Sequence, residues 1–229
     1  LEVLIVPVVN ADGYDYSWTN VRLWRKTRVD NGDGTFGVDP NRNWGFEWGG
    51  EGASSATNNE TYRGPAPFSE PETAALRDFM IARPRIDAHI DFHTYGQWIL
   101  SPWGYTASLP PAPIQTMFDR LNADIAREIF AVHGVTYIGG PSYDTLYPAS
   151  GVIVDWVYGD RGILSWTIEL RDTGGFGFVA PASAIVPTGQ ENYRGVMTLL
   201  DFVGQPLRFS FPDGLPTVAE VGEPASFRV

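Results

Sequence analysis

The chain of 229 residues contains no cysteine, a single lysine and three histidines. Without cysteine there is neither a disulfide framework nor a thiolate metal site. With Lys26 as its only lysine and a net charge of −11, the chain lacks the basic face that nucleic-acid phosphates demand, so no nucleic-acid partner is expected. No apolar run approaches the ~20 residues needed to cross a bilayer, and no membrane partner is expected. No leader is visible and the chain does not begin with methionine. It opens instead on LEVLIVPVVN, which reads as a strand already under way, so the natural N-terminus is expected upstream.

What is present is a hydrophobic fraction of 43%, enough for one sizeable core. Residues 3–9 are continuously apolar, as in a parallel strand covered on both faces. Residues 10–13 (NADG) have turn chemistry, and residues 29–68, rich in Gly, Asn and Pro, read as a long functional loop. SEPE (69–72) looks like a capping box opening a helix with Leu76, Phe79 and Met80 on its apolar face, stopping before Pro84. A second helix is expected over about 112–133, burying Ile114, Phe118, Leu121, Ile125 and Ile129, with Gly134 as its stop. Strands are expected at 86–93, 135–139 and 163–170, a short helix at 151–158 and a last helix over about 188–203. The alternation implies an α/β fold with a mixed, mainly parallel central sheet flanked by helices. Residues 205–229 change texture and read as a linker or the start of a truncated β-rich module.

Sites in such sheets lie at the carboxyl ends of strands, which singles out His93 and Glu169. In HIDFH (89–93) the residues His89, Asp91 and His93 share one face of a strand. The two histidines lie about 13 Å apart, too far to share one ion. The plain alternative is a half-buried His89 and an orienting Asp91. RLWRKTR (22–28) concentrates cations and reads first as a solvated face. In NRNW (41–44) the Arg42 guanidinium fork, next to Asn41, suits a carboxylate, or else caps loop carbonyls. Glu169 ends an apolar strand, where desolvation raises a carboxyl pKa and suits acid–base work; a salt bridge to Arg171 is the competing reading. Tyr147 sits in a loop between Pro and Gly.

Taken in chain order, VNADGY (9–14), RLWRKTR, VDPNRNW (38–44), YRGPAPFSEPET (62–73), FHTYGQ (92–97), SPWGY (101–105), YPASG (147–151), DWVYG (155–159), IELRDTGGFGF (168–178) and PASAIVPTGQENYRGV (181–196) closely resemble the zinc metallocarboxypeptidases of the carboxypeptidase A type. The resemblance implies hydrolysis of the C-terminal peptide bond of peptides and proteins, with Zn2+ as cofactor. His93 corresponds to a zinc ligand, and Glu169 to the general base that takes a proton from the attacking water and hands it to the leaving amine. Arg25 corresponds to the cation that polarises the scissile carbonyl. Asn41 and Arg42 match the pair that binds the terminal carboxylate, and Tyr147 the mobile tyrosine that closes over substrate. Tyr95, in FHTYGQ, joins the substrate-binding set. Val154, seven residues after Tyr147, falls where the family builds the pocket for the terminal side chain, and implies an apolar or aromatic C-terminal residue.

The family's other two ligands come from an HxxE motif, and no histidine here is followed by Glu at that spacing. Residues 1–204 therefore resemble the C-terminal two thirds of a catalytic domain. The chain by itself is expected to be inactive, and the full-length protein to be a secreted, monomeric enzyme. The alternative is a non-catalytic module that binds C-terminal carboxylates through Asn41 and Arg42.

Overall fold

A computed structural model describes residues 1–204; the expected β-rich module at 205–229 lies outside the described residues. Four strands, β1 (Ala88–Thr94), β2 (Trp98–Ser101), β3 (Ile138–Pro141) and β4 (Leu164–Leu170), form one sheet in the order β1-β4-β2-β3. β1 runs parallel to β4 and β2 parallel to β3, while β2 and β4 are antiparallel. The sheet is mixed and mainly parallel, as the sequence implies.

Helices cover it as layers. Helix α3 (Ala112–His133) buries Phe118, Leu121, Ile125 and Ile129 against Ile99, Trp166 and Ile168 of the sheet and Leu199 of α6 (Ala182–Gly204). Gly134 ends α3 in the left-handed conformation at φ +72°. A second apolar cluster joins Trp44, Met80 of α2 (Pro71–Ile81), Ile153, Trp156 and Val157 of α5 (Ile153–Gly159), and Ile163. One face of β1 and β4 carries Ile90, Phe92, Trp166 and Ile168. The alternation of strand side chains then sets His89, Asp91, His93, Ser165, Thr167 and Glu169 on the opposite, polar face.

Four expectations change. Residues 1–9 form no strand, and Leu1, Val3, Leu4, Ile5, Val6 and Val8 are exposed. A strand needs a backbone partner, and within the described residues this run finds none. Residues 10–13 are not a turn but the start of α1 (Ala11–Thr19), because the Asn10 side chain accepts from Gly13 N at 3.0 Å and caps it. The SEPE capping box does not form. Glu70 caps α2 without a side-chain bond, and Asn43 accepts from Glu70 N (3.2 Å) and Thr73 Oγ1 (2.7 Å) in its place. Finally, α6 begins at Ala182 and runs through Pro187, earlier than the sequence pattern suggests. The short β2 was missed altogether, and α4 (Ser142–Thr145) is a single turn.

Candidate active site

The polar face of the sheet ends in a paired register: His93 lies opposite Glu169 on neighbouring parallel strands. Such strands run about 4.8 Å apart, so the two side chains rise together. His93 Nε2 is 2.6 Å from Asp91 Oδ2, two residues back on the same face. An ionised Asp91 only accepts, so the proton sits on Nε2, and no hydrogen bond among the described residues engages Nδ1. Burial works against an imidazolium here, but Asp91, and beyond it Glu169, outweighs it and raises the His93 pKa above its ordinary value. His89 is the ordinary half-buried histidine of the plainer reading, bonded to Ser165 Oγ at 2.9 Å.

Glu169 is 9% exposed, and its Oε2 is buried with no hydrogen-bond partner among the described residues. Burial pushes its carboxyl pKa up, His93 and Arg25 pull it down, and Asp91 pushes it up again; the net shift is upward. The expected competing salt bridge to Arg171 does not form: Arg171 Nε bonds Glu191 Oε2 at 3.0 Å. A buried carboxyl with a free oxygen beside an imidazole is a group placed to accept a proton.

The cationic stretch does not form a solvated face. Lys26 is buried and its ammonium donates to Thr57 O at 2.8 Å. The Arg28 guanidinium lies over the rings of Tyr16, Trp24 and Phe36. Arg25 turns toward Asp39, with Nε and Nη2 each 2.9 Å from Oδ2. Asn10 Nδ2 holds the carbonyls of Arg25 (3.1 Å) and Lys26 (2.9 Å), which fixes this stretch from below.

Asn41 and Arg42 belong to a short 3-10 turn, Pro40–Arg42, capped by Asp39, whose Oδ1 accepts from Asn41 N at 3.0 Å. Asn41 Oδ1 accepts from Ile153 N at 2.9 Å, and its Nδ2 lies 3.5 Å from His93 Nε2, a proximity rather than a hydrogen bond while Nε2 carries the proton. Arg42 is 3% exposed. Its Nε donates to Gly52 O (2.8 Å) and its Nη1 to Asn41 O (2.7 Å). Nη2 has no partner among the described residues. Arg42 borders a cleft of about 420 Å³ with residues 52–54, Thr61, Tyr147 and Pro148. Tyr147 is 49% exposed, its ring 6.0 Å from the Arg42 guanidinium carbon. Gly151, at φ +69°, lets the loop after Tyr147 close on this turn, since a Cβ there would stand 2.5 Å from Arg42 O.

Two further sequence-predicted residues pack against apolar neighbours. Val154 is 2% exposed in a small apolar cluster with Ala149 and Val152. Tyr95 packs edge-on against Phe178 at 4.9 Å. Two carboxylates escaped the sequence reading. Asp39 holds Arg25 and faces Arg42, and its signal was legible as Asp before Pro at a helix start. Asp155, fully buried, accepts from Gly104 N (2.9 Å to Oδ1) and Tyr105 N (3.0 Å) and carries no local signature.

Burial pushes the Asp155 carboxyl up to about 7, against the pull of those two N–H groups. A carboxyl raised in the fold keeps its proton where the unfolded chain has lost it. Stability should therefore fall as pH rises from the ordinary carboxylate range to about 7, by roughly 1 kcal/mol per unit, and level off above. Urea unfolding at pH 5, 6, 7 and 8 should show this slope, and Asp155→Asn should flatten it.

His93, with Nε2 committed to a carboxylate and Nδ1 open, has the arrangement of a metal-ligating histidine with its supporting acid. Among the described residues, however, no group of three His, Cys, Asp or Glu side chains could hold a metal ion. Zinc sites take three or four protein ligands, so these residues alone do not fit the ion.

A strand-end imidazole and carboxyl, a nearby cation and an adjoining cleft of about 420 Å³ thus meet on a mixed sheet layered with helices. The zinc carboxypeptidase family profile matches residues 1–195, and the chain belongs to that family. Carboxypeptidase B of the crayfish Astacus astacus is 42% identical over 203 residues, covering 87% of this chain and 66% of that protein. Rat carboxypeptidase B is 44% identical over 213 residues, covering 90% of this chain and 50% of that protein. Mouse carboxypeptidase A4 is 42% identical over 205 residues, 89% of this chain and 48% of that protein. The chain thus spans about half to two thirds of these relatives. Among solved structures, bovine thrombin-activatable fibrinolysis inhibitor, in complex with a tick carboxypeptidase inhibitor, superposes with a TM-score of 0.82 at 36% identity, covering 86% of this chain and 68% of that one. Carboxypeptidase A from Helicoverpa armigera gives 0.79 at 30% identity, covering 86% and 50%.

Proposed function

We propose that the protein carrying this chain is a secreted zinc carboxypeptidase that removes the last residue of peptides and proteins. The observation that carries this reading is the convergence of His93, Glu169, Arg25, Asn41 and Arg42, spread over 145 positions of sequence, around one strand-end centre. Arg42, whose Nη2 has no partner among the described residues, and Asn41 receive the terminal carboxylate, and Tyr147 closes over it. An internal peptide bond has no carboxylate to offer, so only the last residue is cut. Glu169 takes a proton from the attacking water and passes it to the leaving amine. Arg25 stands where charge develops on the scissile carbonyl oxygen and stabilises it. His93 is the zinc ligand this chain contributes; the others lie outside the described residues.

The full-length protein should hydrolyse a blocked dipeptide with a free carboxylate and leave the C-terminally amidated dipeptide intact, with a chelator abolishing turnover. The 229-residue chain alone, given zinc, should turn over neither. Chelator-sensitive cleavage by the chain alone would show that its own residues complete the metal site. A second reading, favoured by the incomplete donor set, is a module that binds C-terminal carboxylates without hydrolysis. It predicts that the full-length protein binds the free-acid peptide and not the amide, with no turnover.

Val154 supports a preference for apolar or aromatic terminal residues. Val154→Asp should shift kcat/KM from Phe-terminal toward Lys- and Arg-terminal substrates by at least about tenfold. It should also lower Tm, since the valine is packed among apolar neighbours. An unchanged substrate ratio in a folded variant would remove Val154 from the pocket.

A further inference from the structure

One carboxylate links the two cationic ends of the site. Asp39 is 1% exposed, and its backbone N–H is bonded to Tyr62 O at 2.8 Å. Pro40 follows it as the first residue of the 3-10 turn and fixes the chain direction. Its Oδ2 takes both Nε and Nη2 of Arg25 at 2.9 Å and faces Arg42 Nη1 at 3.9 Å, while Oδ1 takes the N–H of Asn41 at 3.0 Å. A single rigid side chain therefore touches three of the residues assigned to substrate.

We infer that Asp39 is a positioning residue that sets the spacing between the carbonyl-polarising Arg25 and the carboxylate-binding Asn41–Arg42 pair, and so fixes cleavage at one residue from the end. The inference rests on the carboxypeptidase reading above. The two substrate groups are separated by one residue, about 3.8 Å of chain. Two flexible cations held independently would not keep that interval. Asp39 grips Arg25 with Oδ2 and the Asn41 N–H with Oδ1, and faces Arg42 at 3.9 Å, so Arg25 cannot drift from the Asn41–Arg42 turn without breaking a charge-assisted bond. Arg25 gains most, because its side chain is 38% exposed and Asp39 is its only ion-pair partner among the described residues.

The test uses the full-length protein with Asp39→Asn and Asp39→Glu. Asn keeps the shape and removes the charge; Glu keeps the charge and moves it by one methylene. Thermal unfolding reports folding, and steady-state kinetics on a free-acid dipeptide and its amide report function. In Asp39→Asn, kcat/KM on the free acid should fall about a hundredfold, the cost of misplacing reacting groups by about 1 Å, with kcat lowered and KM raised together. The preference for free acid over amide should narrow. In an Arg25→Ala background the same substitution should leave kcat unchanged and still raise KM through Arg42. Folded Asn and Glu variants with an unchanged acid-to-amide ratio, or kcat losses additive with Arg25→Ala, would overturn the inference. If Asn does not fold, Glu alone decides it, since the displaced charge should still narrow the ratio. If the wild-type protein shows no turnover, the carboxypeptidase reading has failed, whereas binding of free-acid against amidated peptide still tests the Asp39 linkage to Arg42.

Discussion

Glu169→Gln in the full-length protein should lower kcat by about a thousandfold, within the range a general base supplies, while KM on a free-acid dipeptide stays close to wild type. The substitution preserves shape and removes only the capacity to accept a proton. Folding should survive, because burial already disfavours charge at this position and Oε2 has no partner among the described residues to lose. Zinc content measured on the variant separates the two roles a carboxylate can play here. Retained metal with lost turnover fits a base; loss of the metal would make Glu169 a ligand, and the assignment would be wrong.

Arg42→Ala should raise KM for free-acid peptides by two to three orders of magnitude, since removing one side of a buried, hydrogen-bonded charge pair costs about 2–5 kcal/mol. The amidated peptide, which offers no carboxylate, should be bound as weakly by the variant as by wild type. Lysine at this position should rescue little. Arg42 uses Nε on Gly52 O and Nη1 on Asn41 O and has Nη2 left for a ligand, a division of labour that one ammonium cannot reproduce. The alanine variant also leaves two carbonyls short of a donor, so a Tm drop is expected beside the KM change. A Tm drop with unchanged KM would make Arg42 a loop-capping residue, the plainer of its two readings from sequence.

The difference between those readings shows where sequence stops. Arg42 was legible as a candidate because a guanidinium beside an amide suits a carboxylate, but so does a loop cap, and in the structure it does the capping with two of its nitrogens. The cationic stretch shows the same limit. Its composition suggested a solvated face, yet Lys26 is buried and Arg28 lies among aromatic rings. Their partners, Thr57 and Phe36, come from a loop whose path no local pattern encodes.

The helical periodicity of α3, its glycine stop and the alternation of β1 and β4 are local properties, and they were readable because side-chain spacing repeats with the backbone geometry. The motifs that carry the family resemblance are local too, which is why His93, Glu169, Arg25, Asn41 and Arg42 could be named from the chain alone. What those residues meet is not local. The parallel register that sets His93 beside Glu169, the Asn43 bonds that replace the expected capping box, the shared Asp39 carboxylate and the buried Asp155 all depend on segments far apart in sequence. The apolar opening run illustrates the converse: its composition favours a strand, but a strand exists only through a neighbour's backbone, and the described residues supply none. Sequence determined which groups are available for chemistry. Tertiary structure decided which of them share a hydrogen bond, a charge and a cleft, because those are properties of distance and burial rather than of order along the chain.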